Sequence, residues 1–197
     1  MSSRSPSRAS LTIPNLITLT RILLTPLFII FLIQGCYRKA LIVFLLAGVS
    51  DLADGLIARR WQQKSPLGSY LDPLADKLLI SSSFVALSIA HQIPPWLTVV
   101  VISRDVALGL GVLLLKLADY RLVVRPSLAG KWTTTVQLVT VLMVLVGRIW
   151  PLPLKLLLGL FWLTGGLTAV SGVHYLYQGL KMVGQSPASE PREGGGG

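Results

Sequence analysis

Long apolar runs dominate this chain: Leu16 to Ile33, Ala40 to Val49, Leu78 to Ala90, Trp96 to Leu115, Val136 to Val146 and Leu154 to Val173. A helix needs about 20 largely apolar residues to cross a bilayer, and inside lipid every backbone polar group must be satisfied internally. The runs therefore predict an all-α polytopic membrane protein with about six transmembrane helices. Composition agrees: 52% of the residues are hydrophobic and 13% charged, which excludes an ordinary water-soluble domain.

Proline and glycine divide the runs. Pro14 suits the first turn of a helix, where its missing N–H costs least. Helix one is expected from Ile13 to Ile33 with Gly35 as its stop, helix two from Lys39 to Trp61, and helix three from about Tyr70 to His91. Residues 62–69, with Pro66 and Gly68, read as a short polar turn. Pro94-Pro95 opens helix four, which runs to about Leu117; a basic loop closes at Pro126, and Pro151 and Pro153 separate helices five and six. Three regions result: a flexible basic N-terminus (1–12), one membrane domain (13–183) and a disordered tail of Ser, Pro, Glu and Gly (184–197). Arg4 and Arg8 ahead of an apolar stretch also suit a secretory signal, but Pro14, Asn15, Arg21 and Gln34 break that pattern, so helix one is expected to stay. Cys36 is the single cysteine, which excludes an internal disulfide or a thiolate metal site.

Lysine and arginine number 18 against 8 acids. No recognition motif or aromatic–basic interleaving points to nucleic acid. The positive-inside rule accounts for the excess instead. With six spans, one side carries Arg4, Arg8, Arg59, Arg60, Lys64, Lys116, Arg121, Arg125 and Lys181, while the other has Arg38, Lys39, Arg148 and Lys155. Both termini are therefore expected in the cytoplasm, with the protein in the cell (inner) membrane and its basic loops attracting anionic lipid headgroups.

The acids carry the chemistry. Asp51, Asp54, Asp72 and Asp76 are clustered, although a carboxylate in lipid costs roughly 2.5 kcal/mol or more. Asp51 and Asp54 are three apart on helix two; Asp72 and Asp76 are four apart on helix three, so each pair shares one helical face. A short turn makes the helices antiparallel neighbours with both pairs toward the cytoplasmic end. Four inward carboxylates form a hard oxygen site suited to Mg²⁺, Mn²⁺ or Ca²⁺. Gly55, Ala58 and Gly68 leave room beside them, and Arg59 offers a planar donor fork for phosphate oxygens. A diphosphate fits such a combination. A polar helix–helix cluster, a membrane cation transporter and an aspartate-rich prenyltransferase are the competing readings; clustering at one end speaks against a transport path, and adjacent helices speak against the prenyltransferase.

Asp51-x2-Asp54-Gly55-x2-Ala58-Arg59-x8-Gly68-x3-Asp72-x3-Asp76 resembles, without departure, the signature of the CDP-alcohol phosphatidyltransferases. Pro14, Asn15, Thr18 and Arg21 resemble the family's opening motif, and the likeness covers about residues 13–181. The resemblance implies a six-helix membrane enzyme, usually a homodimer, that transfers a phosphatidyl group from CDP-diacylglycerol to an alcohol and releases CMP. It also implies that Asp51, Asp54, Asp72 and Asp76 bind two divalent ions (Mg²⁺ or Mn²⁺), with Asp76 also the catalytic base, and that Gly55, Ala58, Arg59 and Gly68 cradle the CDP moiety.

The acceptor is read from outside the signature. Arg104-Asp105 is a charge pair inside helix four, and Lys131 opens helix five on the cytoplasmic side, followed by Thr134 and Gln137 at helical spacing. Cations there suit an acceptor that is itself a phosphate; alternatively Arg104 and Asp105 neutralise each other and Lys131 anchors the helix at the interface. Within the family, Leu71 to Lys77 and Pro14 to Arg21 resemble the branch of phosphatidylglycerophosphate synthases and CMP-forming cardiolipin synthases. Ile102 to Val106 leans toward the latter, the chain length toward the former, and the expected acceptor is glycerol 3-phosphate, with phosphatidylglycerol the alternative. His91 and His174 have no metal partner at useful spacing, and Trp61, Trp96 and Trp150 read as interface anchors.

Overall fold

The computed structural model describes the backbone of residues 13–61, 68–117 and 128–184, and side chains within 19–50, 77–111 and 130–177. The described residues are all-α: α1 (Ile13–Ile33), α2 (Tyr37–Trp61), α3 (Gly68–Ile89), α4 (Pro95–Leu117), α5 (Leu128–Gly147) and α6 (Leu154–Gly184). The shortest has 20 residues and so reaches about 30 Å, the thickness of a bilayer's hydrocarbon core. Among the described residues, Gly130–Gly147 and Leu154–Tyr177 are long and apolar enough to cross a membrane; Leu19–Ile33 and Lys77–Ile89 are shorter apolar stretches.

The helix stops have identifiable causes. Gly35 takes a left-handed φ of 69°, and the Cys36 N–H reaches back to the Phe31 carbonyl at 2.8 Å, closing α1 as a Schellman cap. Gly35 is thus the expected stop. The same geometry ends α3 at Ile89, two residues before the expected end: His91 is left-handed (φ 54°) and the Gln92 N–H bonds the Leu87 carbonyl at 2.8 Å. Histidine tolerates this conformation better than most side chains, but nothing in its flanking residues announces it. α2 starts at Tyr37 instead of Lys39, and α3 at Gly68 instead of Tyr70. α1 continues through Pro26, and the neighbouring Thr25 hydroxyl donates to the Arg21 carbonyl at 3.0 Å.

Side-chain contacts set the helix directions. The Thr98 hydroxyl donates to the Phe84 carbonyl (3.2 Å), making α3 and α4 antiparallel with Lys77–Asp105 one end of their contact. Trp96 stacks on Trp162 (5.0 Å) and Arg104 meets Ser171, so α4 and α6 run parallel. Thr140–Thr164 and Gln137–Thr168 make α5 and α6 antiparallel. α1 packs on both α2 and α3, with Phe28 against Phe44 at 5.6 Å. The α4–α6 seam needs a small residue at Gly165, where a methyl would meet the Trp96 indole at 2.6 Å.

Around the apolar core, polar side chains are buried and large apolar ones exposed. Buried positions include Arg21, Ser83, Gln137, Thr140, Thr164, Thr168 and Ser171, while Leu23, Ile33, Ile42, Val99, Trp162 and Val170 are exposed. Apolar contact gives membrane helices no drive to associate in lipid, so hydrogen bonds and close small-residue packing join them. The α5–α6 seam is of this kind.

Candidate active site

The backbone puts Asp51, Asp54, Gly55, Ala58 and Arg59 on α2, toward its C-terminal end, and Gly68, Asp72 and Asp76 on the first half of α3. Helices alternate in direction, so these segments share one end of the bundle with the start of α5. The turns after α1, α3 and α5 lie at the other. The side chains of the eight signature residues, and those of Pro14, Asn15, Thr18 and Trp61, lie outside the described residues. So do residues 62–67, 118–127 and 185–197. Among the described residues no group of three His, Cys, Asp or Glu is placed to hold a metal. The fit of a divalent ion therefore rests on the donor chemistry: four carboxylates are hard oxygen ligands.

Next to Asp76 the structure is explicit. Lys77 Nζ donates to Asp105 Oδ1 at 2.5 Å, and Arg104 Nη1 donates to the same oxygen at 2.8 Å. Arg104 Nη2 donates to Ser171 Oγ at 3.0 Å, and the guanidinium lies over the Tyr175 ring, 5.7 Å from its centroid. The Arg104 and Asp105 side chains are 6% and 9% exposed, so their charges are in effect desolvated and need each other. The Lys77 side chain, at 39%, is partly exposed. Two cations against one carboxylate leave one positive charge in surplus beside the end of the signature. Arg104 Nε and Asp105 Oδ2 are buried without a hydrogen-bond partner.

Arg104 and Asp105 thus neutralise each other in part, and both η nitrogens of Arg104 are engaged. Lys131, the fourth residue of α5, is exposed, and no described contact joins it to Arg104. Thr134 donates back to the Gly130 carbonyl (3.1 Å), and Gln137 is fully buried, with Nε2 on Thr168. Those two residues serve the helix and the α5–α6 seam. Arg21 of the opening motif is 1% exposed inside the bundle. His91 caps α3, and His174 lies beside the Tyr175 ring (6.4 Å).

Lys77, Ser171 and Tyr175 went unread in the sequence. Lys77 had a signal, since it follows Asp76 directly and Asp105 sits in an apolar helix. Ser171 lies 67 positions from Arg104 and had none.

Comparison with known proteins gives a consistent picture. A family model described as CDP-alcohol phosphatidyltransferase matches residues 11–170. The CMP-forming cardiolipin synthase of Rattus norvegicus is 40% identical over 191 residues, covering 87% of this chain and 63% of that protein. A probable phosphatidylglycerophosphate synthase of Mycobacterium tuberculosis (strain ATCC 25618 / H37Rv) is 33% identical over 177 residues, covering 86% and 82%. The CDP-diacylglycerol–glycerol-3-phosphate 3-phosphatidyltransferase of Haemophilus influenzae is 34% identical over 145 residues, covering 70% and 75%. The chain spans less than two thirds of the length of the rat relative.

Proposed function

Because the chain belongs to the CDP-alcohol phosphatidyltransferase family, we propose that it transfers the phosphatidyl group of CDP-diacylglycerol to the primary hydroxyl of a glycerol-phosphate acceptor and releases CMP. The observation that carries this reading is the complete signature, with its two aspartate pairs on α2 and α3 at one end of the bundle.

Asp51, Asp54, Asp72 and Asp76 are the residues that would hold two divalent ions, Mg²⁺ or Mn²⁺. When bound, such ions withdraw charge from a diphosphate and ease departure of CMP. The rest is the work of side chains. Arg59 pairs with phosphate oxygens through its fork, and Gly55, Ala58 and Gly68 admit the nucleotide. The acceptor oxygen attacks the lipid phosphorus in line with the leaving group. Its proton passes to the Asp76 carboxylate, the new P–O bond forms, and the bond to CMP breaks. The surplus charge of the Lys77–Asp105–Arg104 cluster and the exposed ammonium of Lys131 favour an acceptor that carries its own phosphate.

Two acceptors meet that description. Phosphatidylglycerol is favoured by the 40% identity to a CMP-forming cardiolipin synthase and by the Ile102–Val106 stretch. Glycerol 3-phosphate, the acceptor expected from sequence, is favoured by the fuller coverage of the 3-phosphatidyltransferase and probable phosphatidylglycerophosphate synthase relatives. Purified protein supplied with CDP-diacylglycerol should release CMP with one of the two and not with inositol or serine. Cardiolipin as product identifies the first, phosphatidylglycerophosphate the second, and turnover with inositol or serine would refute both.

We further propose six membrane spans with both termini cytoplasmic. Large apolar side chains exposed on every helix support the spans, and the Lys/Arg bias of the loops supports the orientation. A reporter fused after Gly184 should read as cytoplasmic; an external signal would overturn the topology.

A further inference from the structure

Four cations run against the positive-inside bias: Arg38, Lys39, Arg148 and Lys155 lie at the end of the bundle away from the signature. No Asp or Glu occurs in residues 1–50 or 120–189, so no acid near them in the chain offsets their charge. Three of them, Arg38, Lys39 and Arg148, line one open pocket of about 390 Å³ between the α1–α2 and α5–α6 turns, together with Gly35 and Tyr37. We propose that this pocket binds the phosphate group of an anionic phospholipid from the leaflet opposite the signature.

The cations are set in place by aromatic faces. The Arg148 guanidinium sits over the Tyr37 ring at 5.1 Å, and the Lys39 ammonium over the Phe31 ring at 5.6 Å. A ring face attracts each charge without supplying a hydrogen-bond acceptor oxygen, so the cations' N–H donors stay available to a phosphate. The Schellman cap at Gly35 takes up the Leu32 and Phe31 carbonyls, so those two acceptors do not compete for the donors.

The surroundings favour a lipid over a free anion. Ile33, Ile42, Trp150 and Leu154 flank the turns and are exposed, Ile33 at 74%. Cations lining the pocket, with exposed apolar side chains on the adjoining helix ends, match a charged headgroup with acyl chains attached. Arg38 is thirteen residues from Asp51 along α2, about 20 Å at 1.5 Å per residue, so the pocket is separate from the proposed catalytic end. The inference rests on the membrane reading above and is independent of the acceptor.

The test is native mass spectrometry of the full-length protein released from mixed micelles, titrated with phosphatidylserine or phosphatidylcholine. Phosphatidylserine is neither the proposed donor nor a proposed acceptor. Wild type should retain phosphatidylserine in preference to phosphatidylcholine. Arg38→Gln/Lys39→Gln/Arg148→Gln should weaken retention about tenfold or more, as expected for lost charge-assisted hydrogen bonds. Arg38→Gln alone removes no ring contact and should already weaken it measurably, which keeps the test sound if the triple variant misfolds. Lys155→Gln, at the same end but outside the pocket, should have little effect. CMP release should be unchanged in each correctly folded variant, so a failed lipid result leaves the proposed enzymatic function standing. Equal retention by wild type and the Arg38→Gln variant would overturn the site. An equal loss in Lys155→Gln would replace it with diffuse attraction, and displacement of the lipid by inorganic phosphate at equal concentration would overturn the lipid assignment.

Discussion

Asp76→Asn is expected to lose nearly all turnover, on the order of 10²-fold or more, while CDP-diacylglycerol still binds. The substitution keeps the size of the side chain and one oxygen, and it removes the basic carboxylate. If Asp76 accepts the acceptor's proton, the loss falls on the chemical step, so kcat drops far more than donor affinity. Asp51→Asn and Asp54→Asn should behave differently: as proposed ion ligands, they should weaken metal and nucleotide binding together and recover partly at high Mg²⁺ or Mn²⁺. Direct attack also predicts inversion at phosphorus and no exchange of CMP into CDP-diacylglycerol without an acceptor. Retention with a chirally labelled substrate would mean a covalent phosphatidyl intermediate, and the base assignment would fall.

The second large effect is on stability. Asp105→Ala should destabilise the protein by about 3–5 kcal/mol, the usual cost of stripping the partner from a buried charge. Asp105 Oδ1 is the shared acceptor for Arg104 Nη1 and Lys77 Nζ, so its loss leaves two neighbouring cations, one of them buried, facing each other. The double change Arg104→Met/Asp105→Leu removes both desolvated charges and should recover much of that loss. Thermal denaturation of the purified protein in detergent reads both. An Asp105→Ala variant as stable as wild type would show that the pair is solvated in the membrane. Because Lys77 directly follows Asp76, Asp105→Ala should also lower turnover through the position of α3, an effect that Arg104→Met/Asp105→Leu would not repair.

Much of the architecture was legible from the chain alone, because the signals are local. An apolar run long enough to cross lipid identifies a helix wherever it packs, and Gly35 marks a stop because a left-handed residue without Cβ costs little. The two aspartate pairs fell on α2 and α3 as their spacing requires. Misplaced boundaries were those set by unannounced geometry, as at His91. What the sequence could not show was which helix faces which. A membrane helix is apolar toward lipid and often toward its neighbours, so its pattern has little of the amphipathic phase that points a soluble helix inward. Only the tertiary structure joined Lys77, Asp105, Arg104 and Ser171 across α3, α4 and α6, buried Gln137 against Thr168, and brought Arg148 over Tyr37. Each of those contacts links residues far apart in the chain. The sequence determined the helices and the spacing of the aspartate pairs; packing decided which charges are paired inside the bundle.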